Sequence, residues 1–275
     1  MKPVFLAPHL ALLDRMLLEL LSSLSPSEWN AQTIAPKWRV KDVAAHLLDG
    51  NIRVLSILRD GFAGDPPQDV AGYDDLLAYL NRLNADWVQA MKRVSPEMLL
   101  LLHKATGAGF CAYYASLDPF AEAPWPVAWA GEARSLNWMH IAREYTEKWL
   151  HQQQIRDAVG RPGLMTKELF HPLMDVFLRA LPFAYRDVAA PHATVVQLRI
   201  STDIGGDWWL QRSADRWLLV EEAAAKPSAR ISIPPDIAWK LFSKSVRPAG
   251  VRQLIEVEGE EALVRPALEL VSVMA

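Results

Sequence analysis

The chain has 275 residues, 51% of them apolar or aromatic, with 13 glycines, 19 prolines and no low-complexity tract. That composition fits one or two globular domains with a sizeable core and excludes a disordered or fibrous chain. A formal net charge of -3 with no Lys/Arg stripe argues against nucleic acid, and the single cysteine, Cys111, excludes an intrachain disulfide or a cysteine-based zinc cluster.

The first ten residues lack the apolar core and cleavage site of a signal peptide. No apolar run reaches the ~20 residues that cross a bilayer. A soluble cytoplasmic chain with no membrane partner is therefore expected. Leu10, Leu13, Leu17, Leu20, Leu21 and Leu24 recur at helical spacing and predict an amphipathic first helix that Ser25-Pro26 ends. Val40, Val43, Leu47, Val54 and Leu58 mark the buried stripe of a second helix, from about Val40 to Leu58. A Pro/Gly/Asp-rich connection over 61–72 leads to a third, Tyr73 to about Val94. Ser95-Pro96-Glu97 is a helix-start signature for a fourth, which Gly107-Ala108-Gly109 should interrupt. A proline-rich loop precedes a long helix from about Gly131 to Val159, stopped by Gly160 and Pro162, and another helix fits Thr166 to about Arg186.

After Pro191 the pattern turns to β. Strands are expected at 194–200, 208–211, 217–220, 229–233 and 254–259, with helices at 235–242 and 261–273. Helices followed by strands with short helices predict an α+β chain. Its expected boundary puts a helical bundle in 1–188 and a small α/β domain in 189–275.

The long helix carries the unusual chemistry. His140, Glu144, Glu147 and His151 lie at offsets of four, seven and eleven residues, on one helical face. Glu147 and His151, one turn apart, can aim a carboxylate oxygen and an imidazole nitrogen at one point. A metal needs a third ligand from another element. His46 is the best candidate, beside the apolar stripe of the second helix with Asp42, Asp49 and Arg53 on its flank. On spacing alone, Glu-x-x-x-His also fits a solvated face or a weak surface pair. His140 lies ~16 Å of helix rise from His151, too far to share a site with it. Glu144 reads equally as a base and as a bundle-lining salt-bridge residue. Asp42 and Asn51 read as orienting residues for His46, Asp42 also as a first-turn acid favoured by the helix dipole. Arg156 and Asp157 read as holding the helix end. Cys111, in apolar surroundings, reads as an inert thiol.

Two segments carry a family resemblance. The run Trp38-Arg39-Val40-Lys41-Asp42-Val43-Ala44-Ala45-His46-Leu47 resembles the second-helix signature of the DinB-like superfamily. The run from Glu147 to Pro162 resembles the late helix of one branch, the mycothiol-dependent maleylpyruvate isomerase family. Carried over by motif, the resemblance implies a divalent-metal site of His46, Glu147 and His151. Histidine and carboxylate ligands suit zinc, nickel, iron or manganese, with zinc the leading expectation and nickel an alternative. Many superfamily members have histidine where this chain has Glu147, which favours the isomerase branch. Gly206-Asp207-Trp208, Trp217-Leu218-Leu219 and Val257-Glu258-Gly259-Glu260 are similar to that family's small C-terminal domain, related to sterol-carrier folds. The resemblance further implies a low-molecular-weight thiol as cosubstrate and a small electrophilic substrate, for isomerisation or S-transfer. The rival is a non-catalytic metal- and ligand-binding module or sensor. The sequence leaves open whether the chain forms a homodimer.

Overall fold

The computed structural model describes residues 2–67, 72–223 and 225–272. Its described residues form two compact units. One takes residues up to Val4, Phe120–Thr146 and the chain from Gly163 onward, and the other takes Phe5–Pro119 and Glu147–Pro162.

The second of these units is helical. α1 (Ala7–Ser22) buries Leu10, Leu13, Leu17, Leu20 and Leu21, the stripe its leucine spacing predicts. Ser25 does more than end it. Its side chain accepts from the Glu28 amide and Glu28 reaches back to the Ser25 amide, a capping box that starts a one-turn helix, α2 (Pro26–Trp29). α3 (Val40–Arg53) begins where Asp42 Oδ2 accepts from the Arg39 amide at 3.0 Å, and continues as a π-helical turn over Val54–Arg59. Asp42 is thus a first-turn capping acid. Of the connection expected over 61–72, residues 68–71 lie outside the described ones.

α4 (Tyr73–Met91) and α5 (Pro96–Ser116) follow, the latter with Ser95 capping the Met98 amide at 3.2 Å. The break expected at Gly107-Ala108-Gly109 does not occur. A β-carbon at Gly107 would stand 2.4 Å from a carboxylate oxygen of Asp14 on α1, so this glycine serves close helix packing and not chain reversal. α6 (Asn137–Val159) starts later than the expected Gly131, which is left-handed (φ +77°) at the end of a short 3-10 turn. It stops at Gly160, whose φ of +65° suits a glycine after a helix. The half from Glu147 belongs to this unit. Arg156 there donates to the Pro162 carbonyl at 2.7 Å and to the Met16 carbonyl at 3.2 Å, holding the helix end as its position suggested. Leu17, Leu20, Trp29, Val43, Leu47, Leu99 and Ile155 form one cluster of this unit's core.

In the other unit, α7 (Lys167–Phe177), a 3-10 turn and α8 (Leu181–Ala184) replace the single helix expected over 166–186. Pro182, near the start of α8, lacks the amide that would continue a helix. Five strands follow: β1 (Val195–Ile200), β2 (Gly206–Arg212), β3 (Trp217–Val220), β4 (Ala229–Ile233) and β5 (Glu256–Gly259). Their order is β3-β2-β1-β4-β5, with β1 and β4 parallel and all other pairs antiparallel. Leu198 stands opposite Trp208 on one side and Ile231 on the other, all three buried on one face. α9 (Pro235–Phe242), the unpredicted one-turn α10 (Pro248–Val251) and α11 (Glu261–Leu268) complete the unit. α11 ends at Leu268, short of the expected Val273, which itself lies outside the described residues. A helical N-terminal region followed by a five-stranded sheet is the α+β organisation the sequence implies. No helix of the described residues is long and apolar enough to cross a membrane.

Candidate metal centre

α3 buries Val40, Val43, Ala44, Leu47 and Leu48 and leaves His46 at the edge of that stripe. α6 presents Glu147 and His151 one turn apart. The structure brings one ligand atom of each residue within 4.8 Å of the other two. The His46 and His151 rings meet edge to face, centroids 4.6 Å apart. Trp38 lies 4.8 Å from the His46 ring and 6.2 Å from that of His151, walling the pair on one side.

The orientation of His151 has a cause. Its Nδ1 donates to Gln154 Oε1 at 2.9 Å, three residues along the same helix. That bond puts a proton on Nδ1, so that a neutral ring turns its Nε2 lone pair to Glu147 Oε2, 3.4 Å away. Two electron-pair donors face each other there. Two ligand atoms held at ~2.0–2.2 Å from one tetrahedral ion stand about 3.4 Å apart, so the spacing fits a shared cation. His46 adds a third donor. Its Nδ1 is buried with no hydrogen-bond partner. Burial first, then the neighbouring His151 ring and the positive Arg53 and Lys148, hold its pKa well below the ordinary histidine value. A neutral imidazole is the form that ligates a metal. A surface i,i+4 pair is worth only ~0.2–0.5 kcal/mol. That accounts for Glu147 beside His151, but not for a third donor from another helix, His46, brought within 4.8 Å of both with its Nδ1 buried and without a hydrogen bond. The donor set, two imidazoles and a carboxylate, fits a divalent cation.

The other residues singled out in sequence fall elsewhere. Glu144 lies in the part of α6 belonging to the first unit, where Arg143 donates to its Oε1 at 2.9 Å. His140 is fully buried and its Nδ1 is held by Arg143 at 3.0 Å; burial pushes its pKa down to about 3. Cys111 is a half-buried free thiol, pushed up to about 11 by burial, which suits its reading as inert. Trp149 is core, and Trp138 packs under Arg179. Sequence reasoning missed two residues. Gln154 is signalled only by its i+3 spacing from His151. Lys148 carries no local signal at all: its partners, Leu47 and Asn51, lie about a hundred positions earlier.

A family model described as the mycothiol maleylpyruvate isomerase N-terminal domain matches residues 10–156. Two solved structures are similar over nearly the whole chain. One is a histidine-to-alanine mutant of the mycothiol-dependent maleylpyruvate isomerase, at 11% identity and a TM-score of 0.53, covering 92% of this chain and 94% of that one. The other is a crystal structure of the mycothiol-dependent maleylpyruvate isomerase, at 10% identity and 0.52, covering 87% and 90%. A ubiquinone-synthesis protein with a sterol-carrier domain matches 37% of this chain and 84% of its own at 19% identity, with a TM-score of 0.26. Among curated proteins no significant match is found.

Proposed function

This chain belongs to the family of the mycothiol maleylpyruvate isomerase N-terminal domain, and on that premise we propose that it is a divalent-metal-dependent enzyme using a low-molecular-weight thiol on a small electrophilic substrate. His46, Glu147 and His151 would hold the ion, with zinc as the leading occupant and nickel as the alternative. When bound, such an ion lowers the pKa of a coordinated thiol towards neutral pH. The observation that supports the reading is the convergence of three donors within 4.8 Å, with His46 Nδ1 buried and unpaired. Three protein donors suit a catalytic ion, because a tetrahedral sphere then admits one exogenous ligand.

The chain's own residues do the rest. Burial keeps His46 neutral, so its lone pair stays available at neutral pH. Gln154 fixes the His151 tautomer. Trp38 covers the histidine pair and keeps water from that flank. Glu144, its Oε1 held by Arg143, is the candidate base for the thiol proton. The thiolate then adds to an activated double bond, the former double bond rotates as a single bond, and the thiolate leaves as that bond re-forms and takes its proton back from Glu144; on a substrate with a leaving group it displaces that group instead. The partners are therefore a thiol and a small molecule.

Elemental analysis tests the centre. Wild type should carry stoichiometric zinc and His151→Ala should lose it; equal content in both sinks the assignment. Turnover of maleylpyruvate with mycothiol tests the reaction. Glu144→Gln should keep its zinc and lose about 10²–10⁴-fold in kcat. Full activity in that variant removes Glu144 from the scheme.

A further inference from the structure

The helical unit holds a cation that the proposed chemistry leaves unused. Lys148 sits between Glu147 and His151 in sequence. Its Nζ donates to the Leu47 carbonyl at 3.1 Å and to Asn51 Oδ1, and lies 4.3 Å from the centre of the Phe110 ring. Leu47 directly follows His46, and Asn51 stands about one turn further along α3. Asn51 is itself buried and donates to Thr106 Oγ1 at 3.1 Å, which donates to the Leu102 carbonyl at 2.8 Å. One side chain of α6 thus grips α3 and, through Asn51, α5. It leaves from between two of the candidate ligands and ends on residues that flank the third.

The ammonium is part-buried, and beyond these bonds its charge reaches the Asp14 carboxyl on α1 and the His46 ring. A positive group whose field reaches His46 repels any cation held there. What the lysine offers the site is therefore the placement of its bonds and not its charge.

We infer that Lys148 is a positioning residue, whose bonds to the Leu47 carbonyl and to Asn51 fix α6 against α3 so that Glu147, His151 and His46 meet at one point. This rests on the metal-centre reading above.

Replacing Lys148 sets two effects of opposite sign against each other. Lys148→Met removes both tether and charge. Loss of the charge alone would tighten Zn²⁺ binding. Loss of the tether should weaken it about tenfold, the scale of outer-sphere losses at metal sites. Zn²⁺ affinity is read by chelator competition. The visible spectrum of the Co²⁺-loaded protein should also change in the variant, as the ligand geometry is distorted. Asn51→Leu keeps the lysine and its charge and should weaken binding in the same direction, by less. It decides the matter if Lys148→Met does not fold. Leu20→Ala, a cavity in the same core, should lower Tm and leave the Co²⁺ spectrum unchanged. Unchanged or tighter Zn²⁺ binding in the Lys148 and Asn51 variants, with an unchanged spectrum, overturns the positioning role and leaves the metal centre standing. Failure of the wild type to bind either metal overturns both.

Discussion

Gln154 and Glu147 divide the work of orienting His151, one taking the Nδ1 proton and the other facing Nε2. Gln154 is buried, so its carbonyl has no competing solvent. Gln154→Leu removes the acceptor and frees the ring to change tautomer. Zinc affinity should fall about 10–100-fold, measured by competition with a chromogenic chelator, and an unchanged Kd would refute the orienting role. At this scale the sequence was half informative. The 3.6-residue period places Glu147 and His151 on one face, because that geometry is local. Which residue of another helix meets them is not local, and His46 was reached by its place on α3 and by family resemblance. Gln154 has only its i+3 spacing to mark it and Lys148 has nothing, since a hydrogen-bond partner is known only once the neighbouring atoms are placed.

At the scale of elements, α2 depends on its cap. Ser25 and Arg161 together hold the Glu28 carboxyl down to about 2, with the Ser25 backbone bond as the largest cause. A depressed carboxyl contributes stability that is complete above its ordinary value near 4.5 and is lost as pH falls through about 2. Glu28→Gln should therefore lower Tm at pH 6, and the gap to wild type should close between pH 4.5 and 2 in thermal melts followed by circular dichroism. A gap independent of pH would contradict the linkage. α5 makes a second case. Gly107→Ala gains helix propensity of up to ~1 kcal/mol but drives its methyl group into the Asp14 carboxylate. The substitution should be neutral or destabilising in wild type and stabilising in an Asp14→Ala background. Urea denaturation of the four variants measures the coupling, and additive effects would exclude the contact. The expected break at Gly107 shows why such glycines mislead. A glycine kept for a neighbour's side chain and one kept for a turn look alike until the neighbour is known. Helix starts at Ser95 and Val40, by contrast, were legible because caps and first-turn acids act within four residues.

On the whole-molecule scale, the two compact units interleave along the chain: Phe120–Thr146 groups with the sheet and Glu147–Pro162 with the early helices. In the first unit, Trp217 Nε1 donates to the Val188 carbonyl at 2.9 Å, Trp208 Nε1 to Asp175 at 2.7 Å and Ser272 to the Phe177 carbonyl at 2.7 Å. Phe170, Phe177 and Tyr185 are fully buried. A fragment 1–188 keeps these aromatics and loses the sheet of their unit. It should bind the dye ANS and melt below the full chain, and a sharp transition at the full-chain Tm would show that 1–188 is self-sufficient. The α+β class was legible because the hydrophobic period changes from helical to alternating near residue 194. The interleaving of segments was not, because each stretch keeps its own period whichever unit it joins. That interleaving has a consequence for the order of events at the ribosome. The two helices joined by Lys148 are about one hundred residues apart, and at ~5–20 residues per second the earlier one is made about 5–20 s before its partner. Closing so long a loop belongs to the slow, high-contact-order end of folding. Until then α3 can pack on α4 and α5, its nearer neighbours in sequence, while His46 waits for Glu147 and His151, so the three donors meet late in folding rather than seeding it.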